Sequence, residues 1–392
     1  MIYTADIRRP LALAALLLAM VCALVSCSEN GDEPVAEAQR YYAGFYLTVG
    51  DVGASRATPT DGTYDPGSGY ENYIDLTTVR LLLFSNDGTD AYLGEMTEFD
   101  IRPLSSGLGS KRYKLEASTT HDISSGKFKI MILANWPNHG VRIRDKEAVF
   151  SHEYQYKSST LSASNLIPLY GIKAVNIDGG IRENESVNLG DIHLLRAMAK
   201  IEVIYEDDPD NVWPMTPTLV GHNDRGFCAP TGVMNEEEYV KHSYDEDYVD
   251  YVSIPADATA QMAEMDFIEV TPGKDWVAYV PEYNNQTEAH TYIKINFPDA
   301  TLADGTVPEG TPNPIAPGRV DFKLGGSYYD IRRNYWYKIR VTRKNDAIES
   351  TVDVLPYTVI NLDPTHGLGS DYPNPDPLPP EDPWEDPATP TE

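Results

Sequence analysis

The acidic residues of this chain are the first candidates for chemistry, because two clusters combine the residue types that bind calcium. The clusters run from Glu206 to Asn211 and from Asp245 to Asp250. Calcium loops of the EF type need carboxylates at alternate positions and a glycine at the sixth position. In the second cluster Asp245 and Asp247 alternate, but the sixth position is Asp250 and no glycine is near. We therefore interpret both clusters as solvated loops.

Signatures of catalysis are missing from the sequence. It contains no H-E-x-x-H helix, G-x-S-x-G elbow, P-loop or C-x-x-C pair, and its eight histidines are dispersed without metal-ligand spacing. The paired carboxylates of a glycosidase are spatial partners that leave no sequence signature, and nothing points to them. We expect no enzyme activity, no cofactor and no metal.

Clustered aromatic residues are a further candidate, because exposed rings can form a sugar-binding platform. The best stretches are "GSYYDI" and "NYWYKI". In a strand, Tyr335 and Tyr337 share one face while Trp336 lies on the other. One of these faces must be core, so most of the rings are predicted to be packing residues.

Cys27 carries the clearest predicted modification. A basic start at Arg8 and Arg9 is followed by the apolar run "PLALAALLLAMVCALVS", which is short for a membrane span. The run leads into "LVSC", with Leu24 three residues before the cysteine, and resembles a bacterial lipobox. We predict a lipoprotein signal peptide over residues 1–26 and acylation of Cys27, for example with palmitate. The alternative is an ordinary secretory signal with an incidental cysteine.

The stretch "AGFYLTVGDVGASRATPTDG" combines a strand with a soft loop. Phe45, Leu47 and Val49 alternate with polar or amphipathic residues, which predicts a half-buried strand. The loop that follows consists mostly of Gly, Asp, Ala, Ser, Thr and Pro, with Arg56 in its middle. The elements that must position this loop are therefore the strand before it and the sheet that receives the strand.

Composition and charge favour an all-β protein that avoids polyanions. Many Thr, Val, Gly, Pro and Tyr residues, and few helix-forming runs after residue 40, predict β-sandwiches. A formal net charge of -29 makes nucleic acid an implausible partner, because phosphates would be repelled. Among the predicted strands, one alternates from Ile74 to Thr78 and continues as the continuous apolar run Leu81 to Phe84.

The chain of 392 residues is long for one domain. We predict a propeptide that carries the first strand (27–56), an N-terminal β-sandwich (57–190) and a C-terminal β-sandwich (191–363). Residues 364–392 are acidic and rich in proline, so they are predicted to form an extended, solvated tail.

Several stretches together resemble the fimbrillins, the type V pilus subunits of Bacteroidetes-type bacteria. They are "LVSC", the aromatic strand with the Arg56 loop, "ENYIDLTTVRLLLFS", "FKIMILANWP", "IPLYG", "LLRAMAKIEV", "VAYVPEY" and "IRRNYWYKIRVT". The resemblance implies two tandem β-sandwiches of transthyretin-like, Greek-key topology. It also implies export as a lipidated precursor to the outer membrane and a role in a cell-surface fimbrium that supports adhesion.

The resemblance assigns roles to the strand and the loop. An arginine-specific protease would cut between Arg56 and Ala57, and the placeholder strand with Phe45, Leu47 and Val49 would leave. A strand from another fimbrial subunit would then fill the groove by β-augmentation. The alternative is an ordinary surface arginine in a flexible loop.

Polymerisation also requires a donor strand. The candidate is "TVDVLPYTVINL", in which alternate apolar residues share one face: Val352, Val354, Ile360 and Leu362. Pro356 interrupts the pattern, and the tail that follows departs from a simple stalk subunit. A tip subunit and a lipid-retaining anchor subunit are therefore alternatives. A surface glycan-binding lipoprotein is the alternative from a different class.

Overall fold

The computed structural model of the protein describes residues 39–49, 69–104, 112–138, 140–206, 215–230, 252–287, 290–296, 317–324, 326–344 and 347–356. Most of the secondary structure in these ranges is β-strand, with one short α-helix, α1 (Lys146–Phe150), and two 3-10 helices (Gly69–Asn72 and Leu76–Thr78). The prediction of an all-β fold is confirmed. Within the same ranges, none of the helices has the length and hydropathy of a membrane span.

Nine strands precede residue 197. They are β1 (Tyr41–Val49), β2 (Arg80–Ser85), β3 (Tyr92–Met96), β4 (Glu98–Pro103), β5 (Arg112–Thr119), β6 (Lys127–Ala134), β7 (Glu153–Gln155), β8 (Leu169–Asn176) and β9 (Ser186–Arg196). All except β7 form one sheet in the order β3-β2-β6-β8-β9-β1-β5-β4. Strands β8 and β9 share only two residue pairs at one end. The sheet therefore divides into two halves of four strands.

The two halves of this sheet share one apolar core. Leu83 and Ile130 from one half and Leu47 and Leu115 from the other belong to the same buried cluster. In β5 every second side chain is buried, because a period of two places alternate residues on the core face. The apolar run in β2 is buried on both faces, as its continuous pattern predicts.

One predicted strand begins later than expected. The alternation from Ile74 to Thr78 predicted a strand, but Leu76–Thr78 is a 3-10 helix and β2 begins after it. The side chain of Asp75 accepts a hydrogen bond of 3.0 Å from the backbone N–H of Thr77. This local bond favours a helical turn over an extended chain, so the first half of that prediction is wrong.

Twelve further strands follow. They are β10 (Ala199–Tyr205), β11 (Thr216–Asn223), β12 (Arg225–Phe227), β13 (Ala260–Asp266), β14 (Ile268–Thr271), β15 (Asp275–Val280), β16 (Tyr292–Asn296), β17 (Gly318–Asp321), β18 (Lys323–Leu324), β19 (Ser327–Tyr328), β20 (Tyr335–Lys344) and β21 (Ala347–Pro356). Nine of them form a five-stranded sheet, β14-β15-β10-β20-β21, and a four-stranded sheet, β13-β11-β16-β17. The others form two small ladders, β12 with β7 and β18 with β19.

These two sheets enclose a second apolar core. Ile201 and Ile339 from the five-stranded sheet and Leu219 and Ile293 from the four-stranded sheet belong to it. The first core contains residues along the chain as far as Met198 and also Cys228, Ala229, Val277 and Tyr279, whereas the second begins at Ala199. The predicted domain boundary after residue 190 lies within β9.

Several predicted features lie outside the described residues. They are the signal peptide (1–26), Cys27, Arg56, Ala57, Ile360, Leu362 and the acidic tail (364–392). Val49 lies in β1, and Val352 and Val354 lie in β21, but their side chains also fall outside the described part.

Candidate functional site

Strand β1 occupies an inner position in its half of the sheet. It pairs antiparallel with β5 over eight residue pairs and parallel with β9 over seven. Its removal would separate β9 from β5 and β4. Two facing strand edges would then lack their ladder partner, and such edges readily accept another strand.

The inward side chains of β1 are buried. Tyr41 is 4% exposed, Ala43 2%, Phe45 2% and Leu47 0%. The burial of Phe45 and Leu47 agrees with the alternation in the sequence, and the strand extends further toward the N-terminus than that alternation indicated. Burying each large apolar side chain stabilises the fold by about 1.5–3 kcal/mol. A strand that fills this position therefore contributes substantially to the core.

A side-chain pair spans the outer face of β1. The guanidinium of Arg112 in β5 donates a hydrogen bond of 2.9 Å to Asp191 in β9. The same guanidinium lies over the ring of Tyr46 in β1, 4.3 Å from the ring centroid. The Arg112–Asp191 pair thus connects the two neighbours of β1 across the strand that separates them.

The chain enters β1 through polar contacts at the surface. The carbonyl of Arg40 accepts a hydrogen bond of 2.8 Å from the backbone N–H of Asn184. The guanidinium of Arg40 donates to the carboxylate of Glu98 and thereby lowers the pKa of Glu98. Both side chains are more than a third exposed, so this pair adds little to stability.

The chain that follows the Arg56 loop is anchored independently of β1. Glu71, in the first described turn after the loop, accepts a hydrogen bond of 2.8 Å from the hydroxyl of Tyr279. Its carboxylate lies 3.5 Å from the ammonium of Lys200, and both side chains are buried. The guanidinium of Arg196 donates to the carbonyl of Glu71 and to the side chain of Asn72. These contacts fix residues 71 and 72 to strands other than β1.

We expect Glu71→Gln to lower the free energy of unfolding by about 3 kcal/mol, because buried Lys200 loses the carboxylate that faces it. The matched control is Asp100→Asn, since the Asp100–Arg102 pair is more than half exposed. That control should change stability by less than about 1 kcal/mol. Urea unfolding of both variants measures the difference, and equal effects would show that the Glu71 contacts do not anchor the chain.

The aromatic stretch "NYWYKI" is largely a packing feature. Tyr335 is 7% exposed and Tyr337 1%, and burial raises the pKa of Tyr337 well above its ordinary value. The Tyr337 hydroxyl donates to the carbonyl of Asp330. Trp336 is partly buried, with the ammonium of Lys200 4.9 Å from its ring centroid. The prediction that most of these rings pack in the core is confirmed.

The first half of the candidate donor segment is an ordinary strand of the sheet. Strand β21 pairs with β20 along its whole length, with Val352 opposite Ile339 and Val354 opposite Tyr337. As a donor, this part of the segment would first have to leave β20. Its role as a donor stays a prediction.

An open cleft lies beside β13. It has a volume of about 610 Å³, and its lining includes Tyr156, His222, Asp224 and Glu264. The rings of Tyr156 and His222 are 5.0 Å apart. In the described ranges, no group of three or more His, Cys, Asp or Glu side chains is arranged to hold a metal ion.

Comparisons with solved structures find fimbrial proteins at low identity. The tip fimbrial protein Mfa3 from Porphyromonas gingivalis, with a C-terminal truncation, is 16% identical over 81% of this chain and 99% of its own, with a TM-score of 0.49. A fimbrial assembly protein from Parabacteroides distasonis is 12% identical over 80% of this chain and 95% of its own, with a TM-score of 0.41. No protein-family model and no curated protein matches the sequence.

Proposed function

We propose that the chain is a structural subunit of a cell-surface pilus that is assembled by strand exchange and supports adhesion. The observation that carries this proposal is the placement of β1. It is an inner strand with a buried apolar face, yet only residues 50–68 separate it from the chain that follows. One cut in that segment would leave β1 held by non-covalent contacts alone.

The proposed sequence of events begins with a lipidated precursor. Cys27 carries the lipid to the outer membrane while β1 completes the sheet as a placeholder. An arginine-specific protease cuts between Arg56 and Ala57, and β1 departs with the lipid. A strand from another fimbrial subunit then pairs with β5 and β9, because their main-chain donors and acceptors are free.

The anchoring of Glu71 supports this order of events. After a cut at Arg56, the new N-terminal segment would still be held by the contacts of Glu71 and Asn72. These contacts involve β10, β15 and the end of β9, and none of them uses a residue of β1. The rest of the subunit can therefore keep its fold while β1 is exchanged.

The proposal treats the two cores as two tandem β-sandwich domains of transthyretin-like topology. It assigns residues 364–392 to a solvated tail outside both domains. The role is structural, so the proposal requires no catalytic group, cofactor or metal.

The experiment that tests the proposal is the determination of the N-terminal residue of the mature protein on cells. A chain that starts at Ala57 supports the polymerising subunit. A chain that starts at acylated Cys27 would instead favour a lipid-retaining anchor subunit. Intact-mass measurement after extraction from the surface distinguishes the two.

Replacing Cys27 by Ala should abolish acylation and leave an unprocessed periplasmic precursor, because the thiol that accepts the lipid is gone. Metabolic labelling with a fatty acid measures this directly. Cys228→Ala is the control, since Cys228 is buried and should leave labelling unchanged. Label that still enters the Cys27→Ala protein would refute the lipoprotein assignment.

A tip subunit is a second candidate, and the pairing of β21 favours it. Because Ala347–Pro356 is fully paired with β20, this part of the candidate donor segment is already used within its own sheet. A tip subunit would accept a strand without donating one. Immunogold labelling at pilus ends only, rather than along the shaft, would identify a tip.

A glycan-binding lipoprotein is the candidate from another class, and the cleft beside β13 favours it. Its mixture of aromatic and polar side chains suits a carbohydrate. Titration of the protein with surface glycans tests this, with His222→Ala as the variant that should lose binding. Failure of every glycan to bind removes this candidate.

A further inference from the structure

A small side chain fills the buried position of Ala43 in β1. Ala43 lies opposite Ala117 of β5 in the ladder, and both alanines are almost completely buried. On the other side Ala43 pairs with Val187 of β9. A larger side chain inserted into a packed core forces its neighbours out of place. We call the position of β1 between β5 and β9 the slot. A strand that fills the slot therefore needs a small residue at the place of Ala43, between larger residues at the places of Tyr41 and Phe45.

A bulge in β9 sets the register of the slot. The pairing with β9 shifts between Gly44 and Tyr46, where Asn188 and Asp191 are the partners and two residues of β9 lie between them. One of these two is Gly190, with φ +70°, a conformation that favours glycine. The bulge belongs to β9 and remains when β1 leaves. It lies opposite Phe45, so it marks where the aromatic side chain of an occupant must lie.

The outer face adds a third requirement. The guanidinium of Arg112 lies 4.3 Å from the ring centroid of Tyr46 while it binds Asp191. An aromatic ring at this position makes a cation–π contact with the guanidinium of Arg112, and a small polar side chain cannot make that contact. Arg112 and Asp191 both belong to the slot and not to its occupant.

We propose that the slot selects its incoming strand by three positions: a small residue at the place of Ala43, an aromatic residue at Phe45 and an aromatic residue at Tyr46. The strand runs parallel to β9 and antiparallel to β5, as β1 does. This inference rests on the proposed function. It identifies the partner as a strand with the pattern small-x-aromatic-aromatic.

The pattern can be compared with the candidate donor segment of this chain. The segment 351–362, "TVDVLPYTVINL", has a single aromatic residue, Tyr357, and no adjacent aromatic pair. Pro356 also lacks the N–H that a ladder requires. The candidate donor segment of this chain thus does not fit the slot of a second copy. The incoming strand is therefore a segment other than 351–362.

Peptide exchange into the full-length protein tests the selection. The protein is cut after Arg56 by limited digestion with an arginine-specific protease, and N-terminal sequencing verifies a start at Ala57. A fluorescent peptide with the β1 sequence, residues 41–49, is added in sub-denaturing urea so that the cut strand can exchange. Fluorescence anisotropy gives the affinity of this peptide and of substituted peptides, so that the comparison of peptides does not depend on the folding of a protein variant.

The expected results follow from the positions of Ala43 and Tyr46. Ala43→Leu in the peptide should weaken binding at least about fivefold. Tyr46→Ser should weaken it about two- to fivefold, and Tyr46→Phe, which keeps the ring, should not. On the Arg112→Gln protein, Tyr46→Ser should cost no affinity. A peptide with residues 351–362 should fail to displace the β1 peptide.

Three other outcomes would overturn different claims. If no peptide enters the cut protein, strand exchange itself fails, and the proposed function fails with it. If the β1 peptide binds but Ala43→Leu and Tyr46→Ser bind equally well, the selection is wrong while the proposed function stands. Displacement by residues 351–362 would show that a second copy is an adequate partner.

Discussion

Replacing Leu47 by Asp is expected to lower the free energy of unfolding of the uncut protein by more than about 3 kcal/mol. Leu47 is 0% exposed and belongs to the first apolar core. The substitution removes a large apolar side chain and places a carboxylate where no water can solvate it. Strand β1 would then bind its slot poorly even though it remains tethered. Urea unfolding followed by circular dichroism measures the change.

A matched control separates burial from the substitution itself. Leu104 is 51% exposed, so Leu104→Asp should alter the free energy of unfolding by no more than about 0.5 kcal/mol. Both variants exchange the same two residue types. Equal stability of Leu47→Asp and Leu104→Asp would mean that β1 does not complete the core, and the placeholder role would be lost.

Replacing Arg56 by Ala is expected to block polymer formation completely while leaving the monomer folded. The reason lies in the tether. While residues 50–68 are intact, β1 competes for its slot as an intramolecular strand, and its effective concentration is in the millimolar range. After a cut, the concentration of β1 beside its slot falls to its bulk concentration. An incoming strand can then replace β1 without binding the slot more tightly than β1 does. Polymer ladders on non-denaturing gels measure the outcome.

Two further variants sharpen this test. Arg56→Lys keeps the positive charge but removes the arginine that the protease requires, so it should also block polymers. Arg40→Ala should leave polymers intact, because a cut at Arg40 precedes β1 and would release the lipid without opening the slot. Polymers that persist in Arg56→Ala would show that this loop is not the switch.

The sequence by itself determined the fold class and much of the local pattern. A period of two in Phe45 and Leu47 was enough to predict which face of β1 is buried, because strand geometry alternates side chains. The apolar run in β2 predicted burial on both faces for the same kind of local reason. From Ile74 to Thr78 the alternation gave a wrong prediction, because the short-range hydrogen bond that Thr77 donates to the Asp75 carboxylate favours a helical turn there.

Only the tertiary structure decided which strands flank β1. Its parallel neighbour β9 lies more than 130 residues further along the chain, and no local pattern encodes such a pairing. The Arg112–Asp191 pair across Tyr46 and the anchor of Glu71 on Lys200 and Tyr279 depend on the same long-range arrangement. Side-chain periodicity is a property of neighbours in sequence and can be derived from it. The identity of a partner across a sheet depends on how the whole chain packs, and here that packing places an N-terminal strand between β9 and β5.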